Sequence, residues 1–516
     1  MRATALFACM LVGALAMGQG FNKRYDFLGW GNAQTALGIE LLPDGYLTIG
    51  GGTDYDSIAP GLFFAHGSVH LTRLDLNGNV LWEKRSWRPL HSALPGWSNC
   101  CDTIPGGGYV VGGASEDTTG FDEVYLMRFD ANGDTLWTKV FGDPNGSDFW
   151  IGYQVKCTSA GDFLIVGFTG TEGLSSYQAF AIRTDDVGNE LWRRIYSWPG
   201  NPFSGFLSCS LAANGDLFMA GSHNITISNT DYWVQRTDSL GNLKWRVRWG
   251  GPFSEAGTQI ITGADGHVLV FSAKGYATNS QAMRCYVAKL DSTDGSIIWE
   301  NEVGPTAPST LFLAGKECPN GDLIATGATY ANMGMGSGQK GLLCRTTSEG
   351  DSLWMFAYYS VADGLTDGTG RFYDVLPTPD GGFIAAGAAY FSASGNNPQG
   401  ISQDTWVVKV DSTGCIIPGC NNVGISEQAT NLLGAISIYP NPARDHATVQ
   451  LTLPPGVGNG PFELTLVASD GRVMRRERIA GNGAHTLALE QLPAGLYYVH
   501  VADGGKWLTG GKLVLQ

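Results

Sequence analysis

Apolar and polar residues alternate over short runs along most of the chain, and each run closes in a turn rich in Gly, Asn or Asp. Alternation at a period of two marks a half-buried strand, and a tight glycine turn between two such runs marks a hairpin. One stretch shows the plan. Ile151–Thr158 predicts a strand A, Asp162–Gly167 a strand B, Ala179–Thr184 a strand C and Leu191–Ser197 a strand D. The A–B and C–D connections are short glycine turns. The B–C and D–A connections are longer and differ from copy to copy.

This unit repeats. A basic residue, an Asp two later, a Gly and a closing Trp read Arg73-Leu-Asp75-Leu-Asn-Gly78-Asn-Val-Leu-Trp82 in the first copy, and later copies close at Trp137, Trp192, Trp245, Trp299 and Trp354. The spacings are 55, 55, 53, 54 and 55 residues, and a seventh copy starts at Lys409-Val-Asp411 and breaks off at Cys415. Seven copies of a turn followed by an apolar strand, from Asp44-Gly45-Tyr46 to Gly381-Gly382-Phe383, precede them. A period near 54 residues made of strands and turns predicts a propeller blade of four strands. The expected fold is therefore all-β, a seven-bladed β-propeller over residues 21–420 followed by a small C-terminal β-sandwich. The seventh copy has no strand D. The segment Tyr25–Gly31 reads as an orphan strand D that completes it and closes the ring, which removes the exposed sheet edges.

The Asp-x-x-Gly-x-x-x-Trp turn resembles the tryptophan-docking motif of quinoprotein-like propellers, with Ala288–Trp299 the nearest copy. That resemblance implies that Trp82, Trp137, Trp192, Trp245, Trp299 and Trp354 pack between neighbouring blades. No ligands for pyrroloquinoline quinone can be placed, so no cofactor is expected. The recurring bases Arg73, Arg128, Arg183, Arg236, Lys289, Arg345 and Lys409 could ring a site for an anion. Once-per-blade recurrence favours structural pairing instead, with the acid two residues on sharing a strand face.

Composition narrows the class. The 516 residues include 73 glycines and carry a formal charge of −15, which argues against nucleic acid or an anionic membrane as partner. Residues 1–20 read as a signal peptide: Arg2, an apolar run from Ala3 to Met17, then small residues. No later run approaches the ~18–20 apolar residues of a transmembrane helix. Export permits disulfides. Nine cysteines follow the signal, and Cys415 and Cys420, flanking a Pro-Gly turn, are the expected pair. The vicinal Cys100 and Cys101 and the strand cysteines read as packed thiols. No spacing suits zinc, so no metal site is expected.

Residues 421–435 are a polar linker, and the style changes from Ile436. Ile-Ser-Ile-Tyr439-Pro440-Asn441-Pro442-Ala-Arg-Asp445, then Leu-Pro-Ala-Gly495-Leu-Tyr497-Tyr498, then a terminal Lys512-Leu-Val-Leu-Gln516 resemble the type A sorting domain of the type IX secretion system. The resemblance covers 436–516. It implies passage into the periplasm and across the outer membrane, with the secretion machinery and its sortase as partners. The product is then secreted or attached to the outer face of the outer membrane. Tyr439 to Pro442, Asp445, Gly495, Tyr497 and Lys512 carry the sorting motif.

No Gly-x-Ser-x-Gly, His-Glu-x-x-His or phosphate loop occurs. Variable loops on a rigid scaffold usually hold function, so the B–C and D–A loops are the candidate face. Asp54, Asp56, Trp87, Trp97, Asp143, Asp148, Trp150, Trp198, Tyr330 and Asp363 are the candidate binding residues there. Aromatics beside carboxylates suit sugar stacking or calcium-assisted binding. The expected role is a non-enzymatic binding or adhesion platform for a glycan or matrix protein, with no catalytic residue. The alternatives are a polysaccharide hydrolase or lyase using propeller carboxylates, and a structural envelope component.

Overall fold

The computed structural model describes residues 20–28, 32–59, 62–116, 122–142, 148–171, 177–198, 203–226, 229–276, 282–305, 309–330, 339–360, 369–391, 402–416, 435–453, 460–469, 471–503 and 506–516. Among these there is no α-helix. Up to residue 416 the strands form seven antiparallel sheets of propeller type, built as A-B-C-D in chain order. The A strands are Gln34–Leu42, a split pair Ser92–Pro95 and Cys101–Thr103, then Asp148–Cys157, Ser204–Leu211, Ala256–Thr262, Ser309–Glu317 and Thr369–Pro377. The third sheet has strands Asp148–Cys157, Phe163–Thr171, Tyr177–Thr184 and Glu190–Tyr196, within a few residues of the repeat unit read from the sequence except at loop-side ends.

The seventh sheet takes its outer strand from the other end of the chain. Phe21–Tyr25 pairs antiparallel with Ser402–Val410, with Phe21 opposite Lys409 and Tyr25 opposite Thr405. This strand lies earlier than the Tyr25–Gly31 segment expected to fill the role, and residues 29–31 lie outside the described residues. The burial pattern explains the choice, since Phe21, Asn22 and Tyr25 are all buried.

Five of the seven turns after strand C are fixed by one aspartate, and in the fifth copy Asp291 and Asp294 divide the task. Asp75 accepts the N–H groups of Asn77 and Asn79 at 2.8 Å, and Asp130, Asp185, Asp238 and Asp411 repeat the arrangement. The sixth copy uses the Thr347 hydroxyl instead. The turn glycine is needed twice over. Gly133, Gly188, Gly241, Gly295, Gly350 and Gly414 have φ near +80°, and a Cβ there would press on the ring of Trp82, Trp137, Trp192, Trp245, Trp299 and Trp354 respectively. Each tryptophan is therefore half-buried against the turn of the following sheet. Trp192, Trp245 and Trp354 also donate Nε1 to the carbonyls of Ser239, Ser292 and Ser412 at 3.2, 2.9 and 3.2 Å. At the first sheet the equivalent glycine, Gly78, meets Phe21 (a Cβ would lie 2.7 Å from its ring). Phe21 faces Lys409 as Trp354 faces Arg345, so it occupies the seventh tryptophan position.

The basic column is paired, but not with the expected acids. Arg183 meets Asp162 at 3.0 Å, Arg236 meets Asp216 at 2.5 Å and Arg345 meets Asp322 at 2.7 Å; Arg73–Asp44, Lys289–Asp265 and Lys409–Asp380 follow suit. These aspartates belong to the A–B turn. The acid two residues after the base is already engaged in capping its own turn. Arg128 has three glycines in that A–B turn and donates to the Gly107 and Phe129 carbonyls instead. The six pairs leave no ring of free cations.

In the C-terminal part of the chain, Ile436–Tyr439, His446–Leu451 and Gly483–Ala488 form one sheet. Val473–Ile479, Phe462–Ala468, Gly495–Asp503 and Lys506–Leu515 form a second. Val449, Leu464, Leu466, Leu487, Val499 and Leu513 fill the core between them. Cys415 is disulfide-bonded, whereas Cys100, Cys101, Cys157, Cys209, Cys285, Cys318 and Cys344 are free thiols. Cys420 lies outside the described residues.

Candidate functional site

The candidate residues divide by environment. Asp143 and Asp363 lie outside the described residues. Trp150 is 4% exposed and packs on Phe180 at 5.0 Å with the Arg193 guanidinium over its ring, so it is a core side chain. Tyr330 is likewise buried. Both were expected on loops but lie in strands, where alternation turns them inward. Asp148 is half-buried at the head of its strand. Trp198 packs on Trp233, and the guanidiniums of Arg246 and Arg248 lie 4.9 and 5.2 Å from its ring.

Asp54 and Asp56 on strand B of the first sheet do come together with Trp87, just past its strand D, but they satisfy one another and their neighbours. Asp54 binds Arg85 at 3.0 Å. Asp56 accepts Trp87 Nε1 at 3.0 Å and the Leu90 N–H at 2.8 Å, and the latter bond is the chief reason its carboxyl is held below its usual pKa. The Trp87 ring lies 5.3 Å from His66.

Trp97 is the one expected aromatic that remains open, at 43% exposure. It belongs to residues 96–100, the loop that splits the A strand of the second sheet. Ser98 Oγ donates to the Leu313 carbonyl at 2.8 Å and the Asn99 N–H to that of Leu37 at 2.7 Å. Trp97 meets Tyr373 edge-on at 5.4 Å. A Cβ on Gly96 would lie 2.0 Å from the Tyr153 carbonyl oxygen, so only glycine passes there. A loop touching the A strands of the first, third, sixth and seventh sheets lies across the place where these strands approach one another.

Beside this loop opens a pocket of about 590 Å³ between the seventh, first and second sheets. Arg371, Tyr373, Tyr390, Leu94, Pro95 and Trp97 line it together with Gln34, Gln403 and His66. The Arg371 guanidinium lies 5.7 and 5.5 Å from the Tyr373 and Tyr390 ring centres, and the two hydroxyls are 3.3 Å apart. Among the described residues no Asp or Glu lines the pocket.

Below the loop, polar side chains stitch successive A strands. Asp374 accepts the Ile39 N–H at 3.1 Å and Asp102 that of Cys157 at 2.9 Å. Gln154 accepts from Cys209 at 2.6 Å, Ser208 from Ile260 at 3.1 Å and Gln259 from Gly315 at 2.6 Å. Sequence reading missed this set. Its signal was a polar residue at one recurring place in an otherwise apolar strand. Glu40, Lys156 and Lys316 stand close to it. Burial works against the Lys156 charge, but Asp102 and Glu40 outweigh it and hold the ammonium protonated. Burial, helped by Asp102 and opposed by Lys316 and Lys156, pushes the Glu40 carboxyl up to about 7.

That shift has a sign. A carboxyl whose folded pKa exceeds its unfolded value of 4.5 binds more protons when native. Stability from it is complete below about pH 4.5 and is lost as pH rises through 7. Glu40→Gln should leave the melting temperature unchanged near pH 4.5 and raise it at pH 8, by about 2 kcal/mol in stability. His70 and His223, both held near pKa 4 first of all by burial, impose the opposite slope equally on both proteins, so the difference isolates Glu40. Parallel melting curves across that range would reject the buried-carboxyl assignment.

Among the described residues no cluster of three or more His, Cys, Asp or Glu could hold a metal ion, and no helix is long and apolar enough to cross a membrane.

Residues 437–516 match the family described as the secretion system C-terminal sorting domain. No curated protein matches the chain. Among solved structures it is similar to quinohemoprotein alcohol dehydrogenase from Comamonas testosteroni, at 11% identity and TM-score 0.37, over 82% of this chain and 72% of that one. An α-L-arabinanase of Penicillium chrysogenum in complex with arabinobiose matches at 11% identity and TM-score 0.38, over 58% and 88% of the two chains. A thermostable family-43 glycoside hydrolase matches at 13% identity and TM-score 0.31, over 56% and 98%.

Proposed function

We propose that the protein is a non-enzymatic glycan-binding platform that reaches the cell exterior as a seven-bladed propeller. Its sorting tail makes it an exported protein and implies engagement by the type IX machinery. In this reading residues 1–20 are a cleaved signal and 21–420 a ring of seven blades closed by Phe21–Tyr25. Residues 421–435 are the linker at which a sortase acts, leaving the propeller secreted or attached to the outer face of the outer membrane. Support for closure comes from the pairing of Phe21–Tyr25 with Ser402–Val410 and from Phe21 in the seventh tryptophan position.

The observation that carries the binding reading is the pocket beside the 96–100 loop. A partly exposed indole and two tyrosines line a cleft together with two side-chain amides, the mixture of apolar face and polar edge that a sugar presents in return. Among the described residues the lining holds neither a nucleophile–base pair nor two carboxylates. The mature protein incubated with a polysaccharide panel, with and without calcium, should retain a glycan and release no soluble product. Trp97→Ala should cut retention about tenfold, as loss of one stacking face does. Product release would displace this reading in favour of a hydrolase or lyase. Glu40 is the residue that favours that second reading, because a carboxyl near pKa 7 beside Asp102 suits a general acid. In that case Glu40→Gln would abolish release.

A further inference from the structure

Resting on the binding reading above, we propose that the pocket selects an acidic polysaccharide, and that Arg371 receives a sugar carboxylate. The case begins with charge. A chain with 47 acidic and 32 basic residues builds this pocket, among its described residues, with one arginine and no acid in the lining. The other repeated bases of the propeller sheets have partners: the six Arg/Lys–Asp pairs of the basic column, and Arg128 on two carbonyls. Among the described residues Arg371 has no such acid. Its Nε is buried without a hydrogen-bond partner, and the groups that act on its charge are the phenols of Tyr330, Tyr373 and Tyr390, with a side-chain hydrogen bond to Tyr373.

Those neighbours do not neutralise it. Tyr373 is buried and its hydroxyl is pushed far above the usual phenol range, chiefly by burial, so it stays uncharged at neutral pH. A guanidinium kept half-buried among neutral phenols has lost part of its hydration and has not regained it from an acid. That loss is recovered when an anion enters, and the planar fork of arginine suits a carboxylate. The phenol rings lie against its faces and hold it in place, which lowers the cost of ordering it on binding. Trp97, edge-on against Tyr373 in the same lining, offers the stacking face for the ring that bears the carboxylate.

The protein's overall charge of −15 sharpens the test, because a polyanion captured by general electrostatics would be repelled. The mature protein is presented with polygalacturonate, hyaluronate and polysialic acid, each paired with its carboxyl-reduced neutral form, and with sulfated dextran. At least one acidic polymer should bind ten times or more tightly than its reduced form. Arg371→Gln should erase that ratio while Trp97→Ala weakens both members of the pair. Because Arg371→Gln also removes the cation from between its tyrosine neighbours, Arg371→Lys is the companion variant: it keeps the charge and stem, must melt within a few degrees of wild type, and should still lose most of the preference because it lacks the fork.

Equal binding of acidic and reduced polymers would overturn the carboxylate assignment and leave the glycan-binding reading standing. Capture of sulfated dextran alone, or a carboxylate preference untouched in both Arg371 variants, would overturn it too. Failure of every polymer to bind would overturn both.

Discussion

Trp406→Ala is expected to destabilise the seventh sheet by about 4 kcal/mol, the largest loss from any single substitution in the strands that join the two chain ends. The ring is 0% exposed and stacks on Phe372 at 4.2 Å. Two glycines make room for it: a Cβ on Gly341 or Gly370 would come within 2.7 Å of the indole. Its Nε1 donates to Asn22 Oδ1 at 2.6 Å, and Asn22 Nδ2 reaches the Tyr359 carbonyl at 2.9 Å. One side chain therefore ties the sixth sheet, the seventh sheet and the N-terminal strand together. Truncation removes the transfer free energy of a buried indole, leaves a cavity, and takes one partner from a buried amide; the first two terms alone reach about 3–5 kcal/mol.

A domain of this size need not unfold in one step, so the site of the loss matters as much as its size. Amide exchange in Phe21–Tyr25 and Ser402–Val410 should accelerate together and more than in the third sheet. Trp245→Ala, at a half-exposed position, should cost about half as much and affect the fourth and fifth sheets instead. Uniform acceleration in every sheet would contradict this role for Trp406.

The turns were legible because their chemistry is local. An aspartate must accept two N–H groups two and four residues on, a glycine must take positive φ, and the tryptophan then lands at a fixed distance. Phe21 was not legible for the converse reason. It performs the same task as those tryptophans with no turn attached, and only pairing across almost 400 residues reveals it. The basic column was read correctly as structural, yet its partners were assigned wrongly. Sharing a strand face made Asp75 or Asp185 plausible, but backbone N–H groups had the prior claim on them. Trp150 and Tyr330 were misjudged because a loop boundary shifted by two or three residues changes which way a side chain points. Arg371 gave no signal at all. Its isolation depends on which acids are absent from a pocket made by three sheets, and absence in space leaves no trace in the sequence.

Asn441→Ala should strip the sorting tail of its terminal clasp and hold the protein inside the cell. Asn441 Nδ2 donates to the Lys512 carbonyl at 2.8 Å, and its Oδ1 accepts the Val514 N–H at 2.9 Å. Ala443 adds two bonds beside it, its N–H to Val514 O at 2.8 Å and its carbonyl to the Gln516 N–H at 2.9 Å. The Tyr439–Pro442 segment and the last five residues, two pieces of the sorting motif some seventy residues apart, are thus one structural unit. Whatever recognises the tail meets them together. The bonds are exposed, so the loss in tail stability is modest, about 1–2 kcal/mol, but the geometry they fix is lost with them. Export should fall several-fold, with the protein accumulating in the periplasmic fraction as it would on complete removal of residues 437–516. Asn441→Asp keeps the acceptor for Val514 and loses the donor to Lys512, so it should fall between. Leu508→Ala supplies the control for mere loss of stability, because it weakens the core of the same tail without touching the clasp. If Asn441→Ala and Leu508→Ala tails of equal melting temperature are exported equally, the clasp has no part in recognition beyond folding. If only the Asn441 variant is retained, the clasp itself is what the machinery reads.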